Sequence, residues 1–341
     1  MKRTLSLAVA GLLAISVLAG CGSKPQDAYN KPAQPAPAPA AGEAPKAEGK
    51  LMIGQLPVVD GLPFWIADKK GYFKQEGVEV VLTTFNSANE RDAAIISGDI
   101  DGMLADPIAT TTLISSGTKV KITSLGLGAT KAEGPMAIIA APGSGITKPE
   151  DLKGVEIAIS KGSVMDFVTE KLLLEAGLKP EEIKTTGIPQ INLRYEALTT
   201  GKIKAAILPE PWLSLAANFP GTKVILHDAT AGKLNYSLSV IPFSEKAIKE
   251  KPNAIKRFFI AYNRAVNDIR LDPQGYMDLI ISEGKVPEEI KTKYKNVAHS
   301  MAQAPKKEDL ESVVQWLVDR KIIKSPVSYE QLVDASLLPQ K

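Results

Sequence analysis

The stretch from Leu51 to Phe85 constrains the fold more than any other part of the chain. It reads as strand, loop, helix, tight turn, strand. Leu51–Leu56 is a short apolar run halted by Pro57. Val58–Leu62 carries turn chemistry in Asp60-Gly61, and Pro63 stands at a first helical position, where a missing N–H costs little. Phe64, Ala67, Tyr72 and Phe73 fall roughly on one helical face, with Lys69 and Lys70 opposite. Gly71 and Gly77 loosen and then end the helix. Val78–Phe85 follows as a β-branched run, the pattern of a strand covered on both faces.

Strands and helices go on alternating after this unit, which predicts an α/β fold with largely parallel sheets and crossover helices. Ser87 and Glu90 make a capping-box pattern for a helix closed by Gly98. Ile100–Ala105 reads as the next strand, and Asp106-Pro107 opens a further helix. Lys121–Leu127 and the wholly apolar Met136–Pro142 read as strands. Val155–Ser160 is another, and Gly162-Ser163 leads into a helix with Val164, Phe167, Val168 and Leu172 at helical spacing. Lys204–Leu208 is a strand ending in Pro209-Glu210-Pro211-Trp212, and Val224–His227 and Leu238–Phe243 follow. The remainder is helical. Ile255, Phe258, Phe259, Tyr262, Val266 and Ile269 form one amphipathic stripe, and Val313, Val314, Leu317 and Val318 another. Both stripes are expected to brace the first lobe.

At 341 residues the chain is too long for one comfortable core, and two lobes are expected. A formal charge of +3 gives no footprint for nucleic acid. The N-terminus reads as an address. Lys2 and Arg3 precede an apolar run, Leu5–Leu18, shorter than the ~18–20 residues of a spanning helix. Leu18-Ala19-Gly20-Cys21 follows and resembles a bacterial lipobox, with the only cysteine of the chain in the lipidation position. Cleavage before Cys21 and acylation there would place the protein on the outer face of a cell membrane, with no cysteine left for a disulfide. Residues 21–50 form a Pro/Ala-rich tether that cannot bury enough surface to order itself.

Four segments carry a family resemblance, one of them Gly143-Ser144-Gly145-Ile146 with Pro149-Glu150-Asp151-Leu152-Lys153-Gly154, which resembles a crossing from one lobe to the other. Ala67, Lys69, Lys70, Gly71, Tyr72, Phe73, Glu76, Gly77 and Val78 resemble the opening of the nitrate/sulfonate/taurine and thiamine-precursor group of ABC-transporter solute-binding proteins. Ser97-Gly98-Asp99-Ile100-Asp101-Gly102 is similar to that group's approach to its third strand. RYEALTTGKIKAAILPEPW, residues 194–212, is similar to the end of its second lobe's central strand, with Lys204 where an acidic residue is usual. The resemblance implies a two-lobed periplasmic-binding-protein-like fold of type II. It places lobe 1 at residues 51–141 plus 236–341 and lobe 2 at residues 142–235. It implies capture of a small organic solute or oxyanion, delivery to ABC permease subunits, no cofactor, and a monomer. Alternatives are a binder of a thiamine-pyrimidine-like heterocycle, an enzyme of the same fold, and a sensory lipoprotein.

In open parallel sheets ligands bind beyond the carboxyl ends of the strands. The candidates there are Asp60, Phe64, Trp65, Ser87, Asn89 and Asp106 in the first lobe, and Gly162, Ser163, Glu210 and Trp212 in the second. Each has a plainer reading. Ser87 with Glu90 and Ser163 with Asp166 cap helices, Asp60-Gly61 makes a turn, and Phe64 and Trp65 fill a core. The resemblance is what adds a ligand role for Gly162-Ser163. Asp60, Asp106 and Glu210 would repel an oxyanion if all faced the cleft unpaired. Either they point elsewhere, or Arg91 and Arg194 neutralise them, or the solute carries a positive or hydrogen-donating group. With two histidines, His227 and His299, and no G-x-S-x-G elbow or P-loop, enzyme readings find little support, and both histidines read as incidental.

Overall fold

The chain follows the predicted alternation. The computed structural model describes residues 49–230 and 237–340, so the leader, Cys21 and nearly all of the tether lie outside the described residues. Strand β1 (Lys50–Gln55) leads through a single 3-10 turn into α1 (Leu62–Lys69), with Pro63 in its first turn. Gly71 at φ +69° breaks the helix, α2 (Tyr72–Gln75) follows, and Gly77 at φ +74° turns the chain into β2 (Glu79–Thr84). Then come α3 (Ala88–Ser97), β3 (Gly102–Met103), α4 (Pro107–Ser115) and β4 (Val120–Leu125).

After a first crossing come β5 (Met136–Ala140), β6 (Glu156–Ile159), α5 (Val164–Glu175), β7 (Lys184–Gly187), α6 (Ile191–Thr199), β8 (Ala205–Pro209), α7 (Trp212–Ala217) and β9 (Lys223–His227). The chain then crosses back into β10 (Val240–Ser244), α8 (Glu245–Glu250), α9 (Pro252–Leu271), α10 (Met277–Gly284), α11 (Lys307–Asp319) and α12 (Tyr329–Leu332). Among the described residues no helix is long and apolar enough to cross a membrane.

The strands form two five-stranded sheets, ordered β2-β1-β3-β10-β4 and β7-β6-β8-β5-β9. In each sheet the strand that follows a crossing enters against the others. β10 is antiparallel to β3 and β4, and β5 is antiparallel to β8 and β9. The other pairings are parallel. This corrects one boundary. A first lobe running to residue 141 would include Met136–Ala140, but that strand sits inside the second sheet, buried at every position. A strand apolar on both faces suits the centre of either sheet, so its pattern could not say which.

The α9 stripe is buried as expected, and the helix packs on α1, α2 and β1. The α11 stripe does more than brace the first lobe. Leu310, Val313 and Leu317 share one apolar cluster with Ile108 and Ile122 of the first lobe and Phe167 and Val168 of the second. Trp316 meets Phe167 edge-on at 5.6 Å, and its Nε1 donates to Glu170 Oε2 at 3.1 Å. α11 therefore packs against both lobes, on the face formed by α4 and α5. A stripe on one helix records that a face is apolar, not which neighbours cover it.

Candidate functional site

All four co-directional strands of each sheet end at the same edge, and the reversed strand of each begins there. The loops beyond Gln55, Thr84, Met103 and Leu125 in one sheet therefore face those beyond Ile159, Gly187, Pro209 and His227 in the other. A cavity of about 310 Å³ lies between them. Its first-lobe wall is Leu56, Pro57 and Ser87, and its second-lobe wall is Ser160, Gln190 and Trp212. Lys285, after α10, also lines the cavity and is the one charged side chain among the lining residues; a cleft of this size is the form that small-molecule sites take.

Near the same strand ends, outside the cavity lining, is a cluster of buried polar side chains. Asp60, on the turn after β1, has the Ser239 hydroxyl beside it. Burial pushes its carboxyl above the usual range, partly opposed by Ser239 and by nearby His299. Ser239 is fixed in turn, since its Oγ accepts from Leu127 N at 2.9 Å. Glu210 ends β8 and is 8% exposed. Its Oε2 accepts from Ser214 N at 3.0 Å and its Oε1 from Ser214 Oγ at 2.9 Å. Burial still raises its carboxyl to about 7. Asp228 ends β9, its Oδ1 accepting from Met136 N at 3.1 Å and its Oδ2 buried without a partner. Glu210 N donates to Pro135 O, so the backbone of Glu210 and the carboxylate of Asp228 are both tied at the start of β5. Tyr294, 2% exposed, lies within electrostatic reach of both Glu210 and Asp60.

The other expected site residues divide. Trp65 and Trp212 belong to one apolar cluster, 3% and 8% exposed, and the Trp65 Nε1 has no partner. Trp212 also stands 5.3 Å from the Tyr195 ring. Phe64 is not a cleft wall: it is fully buried, its ring 5.2 Å from Phe258 and 5.9 Å from Tyr262. Asn89 is exposed on α3, away from the cavity lining.

Three of the expected positions serve as helix caps, and Gly162 stands just before one of them. Ser87 Oγ accepts from Glu90 N at 3.3 Å while also lining the cavity, and Glu90 Oε2 takes Asn86 N rather than Ser87 N. Asp106 Oδ1 caps α4 through Ala109 N at 2.9 Å; burial raises its carboxyl to about 6, against the pull of Arg91. Gly162, at φ +68°, donates its N–H to Asp166 Oδ2 at 3.1 Å. Ser163 Oγ donates to Ser160 O and accepts from Met165 N. An N-cap is worth about 1 kcal/mol, so Ser163→Ala should lower the unfolding free energy by roughly that amount in urea titrations.

The alternative that arginines offset the carboxylates divides. Arg194 neutralises no carboxylate: fully buried, it donates Nη1 to Ile188 O and sets Nη2 against Met165 Sδ, and desolvation lowers it to about 10. Arg91 pairs with Asp92 at 2.7 Å and its charge also favours the ionised form of Asp106. His299, read as helical and incidental, lies outside any helix and is 3% exposed. Its ring nitrogens face Val297 O and Val59 O, and burial holds it below its usual pKa. Sequence reasoning missed Gln55, Ser239, Asp228 and Tyr294. Gln55, a polar residue closing an apolar strand, was the one findable signal, because strand ends face the cleft.

This frame, two mixed sheets around one cleft, can be compared with known proteins. The family model described as "NMT1/THI5 like" matches residues 59–275. The chain belongs to the NMT1/THI5-like family. As a family member it is 26% identical over 281 residues to the riboflavin-binding protein RibY of Chloroflexus aurantiacus, covering 79% of this chain and 75% of that one. It is 24% identical over 236 residues to the 4-amino-5-hydroxymethyl-2-methylpyrimidine phosphate synthase THI13 of Saccharomyces cerevisiae, covering 65% and 67%. In fold it is similar to the alkanesulfonate-binding protein SsuA of Xanthomonas axonopodis bound to MOPS, with a TM-score of 0.69 at 17% identity, covering 88% and 99%.

Proposed function

We propose that this family member is the solute-binding component of an ABC importer, capturing a small organic solute between its lobes. The observation that carries the reading is the convergence of two sets of strand ends on one cleft lined by side chains of both lobes. In this reading closure is a hinge motion of one lobe against the other about the crossing at residues 126–135. The closed form then docks on permease subunits. The leader and Cys21 supply an acyl anchor on the outer face of the membrane, and residues 21–50 give reach of up to about 90 Å if extended at ~3.1 Å per residue.

One relative is a synthase, so catalysis by this chain is the competing reading. Binding is preferred because the buried carboxylates are tied to backbone and serine donors and the chain's only cysteine stands in the lipidation motif. A thermal-shift screen of the full chain against sulfonates, nitrate, aminopyrimidines and flavins tests this. A true solute at 100 times its dissociation constant adds ~2.7 kcal/mol of stability, a shift of several degrees. Chemical turnover of a compound that binds would overturn the reading in favour of an enzyme.

A further inference from the structure

We infer that Lys285 is the specificity-determining residue of the cleft, and that it selects a solute carrying one anionic group on an apolar body of about ten non-hydrogen atoms. This rests on the binding reading above and names the chemistry of its solute.

Lys285 comes from neither sheet. It follows α10, a helix packed on α1 of the first lobe. The start of α10 is fixed where the Tyr276 hydroxyl accepts from Lys70 Nζ at 2.9 Å. At its other end Lys285 stands at φ +52°, its N–H donating to Ile281 O. Glycine fits that conformation better, so the turn itself does not ask for a lysine. The Lys285 side chain is exposed and, among the described residues, makes no hydrogen bond or ion pair. No carboxylate shares the cavity lining with it, since Asp60, Glu210 and Asp228 lie outside that lining.

Two further observations, independent of Lys285, give the cavity the same sign. The first turns of α3 and α6, one from each lobe, both line it. Gln190 gives α6 no side-chain cap, which leaves the leading N–H groups and the positive end of that helix to a guest. One turn into α6, Arg194 is fully buried with no carboxylate beside it, and its Nε bonds to nothing. It stands next to the lining, its Nη1 donating to Ile188 O, the carbonyl just before Pro189 of the cavity wall. A buried cation without a counter-charge is costly, and an anion in the cavity would offset it. The rest of the lining sets the body of the solute. Leu56, Ile191, Leu193 and Trp212 are apolar, and at about 30 Å³ per water-sized group the 310 Å³ holds about ten non-hydrogen atoms. Nitrate would leave most of that space unfilled.

Isothermal titration of the full chain with matched pairs tests this. Toluenesulfonate is set against toluenesulfonamide, and octanoate against octanamide, with nitrate alongside. The anion of at least one pair should bind about tenfold tighter, or more, than its neutral amide and than nitrate, the size expected of one charge-assisted hydrogen bond. Lys285→Met should cut that preference by about fivefold or more, and Lys285→Arg should keep it. Lys285→Gly separates a solute role from a structural one. Glycine fits φ +52°, so the melting temperature should hold or rise while the preference is lost. A preference that survives in Lys285→Met and Lys285→Gly, or amides that bind as tightly as their anions, overturns the assignment and leaves the importer reading standing. Nitrate binding as tightly as the organic anions overturns the stated solute class. No binding by any of the five overturns the assignment, and the importer reading falls with it only if the thermal-shift screen is silent as well.

Discussion

Phe258→Ala should lower the unfolding free energy by about 3–5 kcal/mol, the range for emptying a well-packed aromatic site. Phe258 has no exposed surface and sits at the centre of the first-lobe core. Its ring stacks on Phe73 at 5.3 Å and meets Phe64, Phe259 and Phe243 edge-on at 5.2, 5.4 and 5.7 Å. Those partners belong to α2, α1, α9 and β10, so one side chain joins four elements. Truncation removes the buried area and leaves a void that rigid helices and a sheet cannot fill. Each aromatic pair adds about 0.5–1.5 kcal/mol beyond area alone, which favours the upper half of the range. Urea titration measures the effect as a fall in midpoint with an unchanged slope. A loss under about 1.5 kcal/mol would mean that the core relaxes around the gap.

Glu210 links the stability of the solute-free protein to pH. Its carboxyl is raised by burial to about 7 in the folded chain, against 4.5 when exposed. Between those values the folded state holds a proton that the unfolded state has released. Stability from this group is therefore full below pH 4.5 and is lost as pH climbs towards 7. Between pH 5 and pH 7.5 the loss comes to about 2 kcal/mol, since each tenfold difference in proton affinity between the two states is worth about 1.4 kcal/mol. His227, Asp228 and Tyr294 face the same group, and His299 works in the opposite sense: kept neutral by burial, it destabilises the fold as acid charges it. The comparison with Glu210→Gln isolates the carboxyl from these. Urea titrations of both proteins at pH 5 and pH 7.5 should show the wild type losing about 2 kcal/mol relative to the variant. A difference that stays constant across that range would show that Glu210 is ionised throughout and that the cluster is wetter than its burial implies.

Local chemistry made much of the architecture readable. Prolines, glycines and capping pairs mark where α1, α3, α4 and α5 begin, and the caps predicted at Ser87 and Ser163 form through backbone N–H groups, as does one at Asp106. These signals act over three or four residues, which is the range that sequence spacing reports. The same locality explains the partial failure at the site. A serine before a helix serves as a cap whether or not a ligand is near, and an aromatic one turn in can face either core or cleft. Phe64 and Trp65 are neighbours in sequence, yet the turn of α1 sends one into a cluster of rings and leaves the other with an unpartnered indole N–H.

From its residues alone this chain is committed to alternating strands and helices and to a family, because periodicity, turn chemistry and short motifs are properties of neighbouring residues. Three things depended on the folded arrangement. They are the sheet that receives Met136–Ala140, the pairing of α11 with both lobes, and the meeting of Asp60, Glu210, Asp228 and Tyr294 in one cluster. Those residues lie far apart along the chain. Only the two crossings between sheets bring them within electrostatic reach, and burial there, not residue type, raises the carboxyls of Asp60 and Glu210.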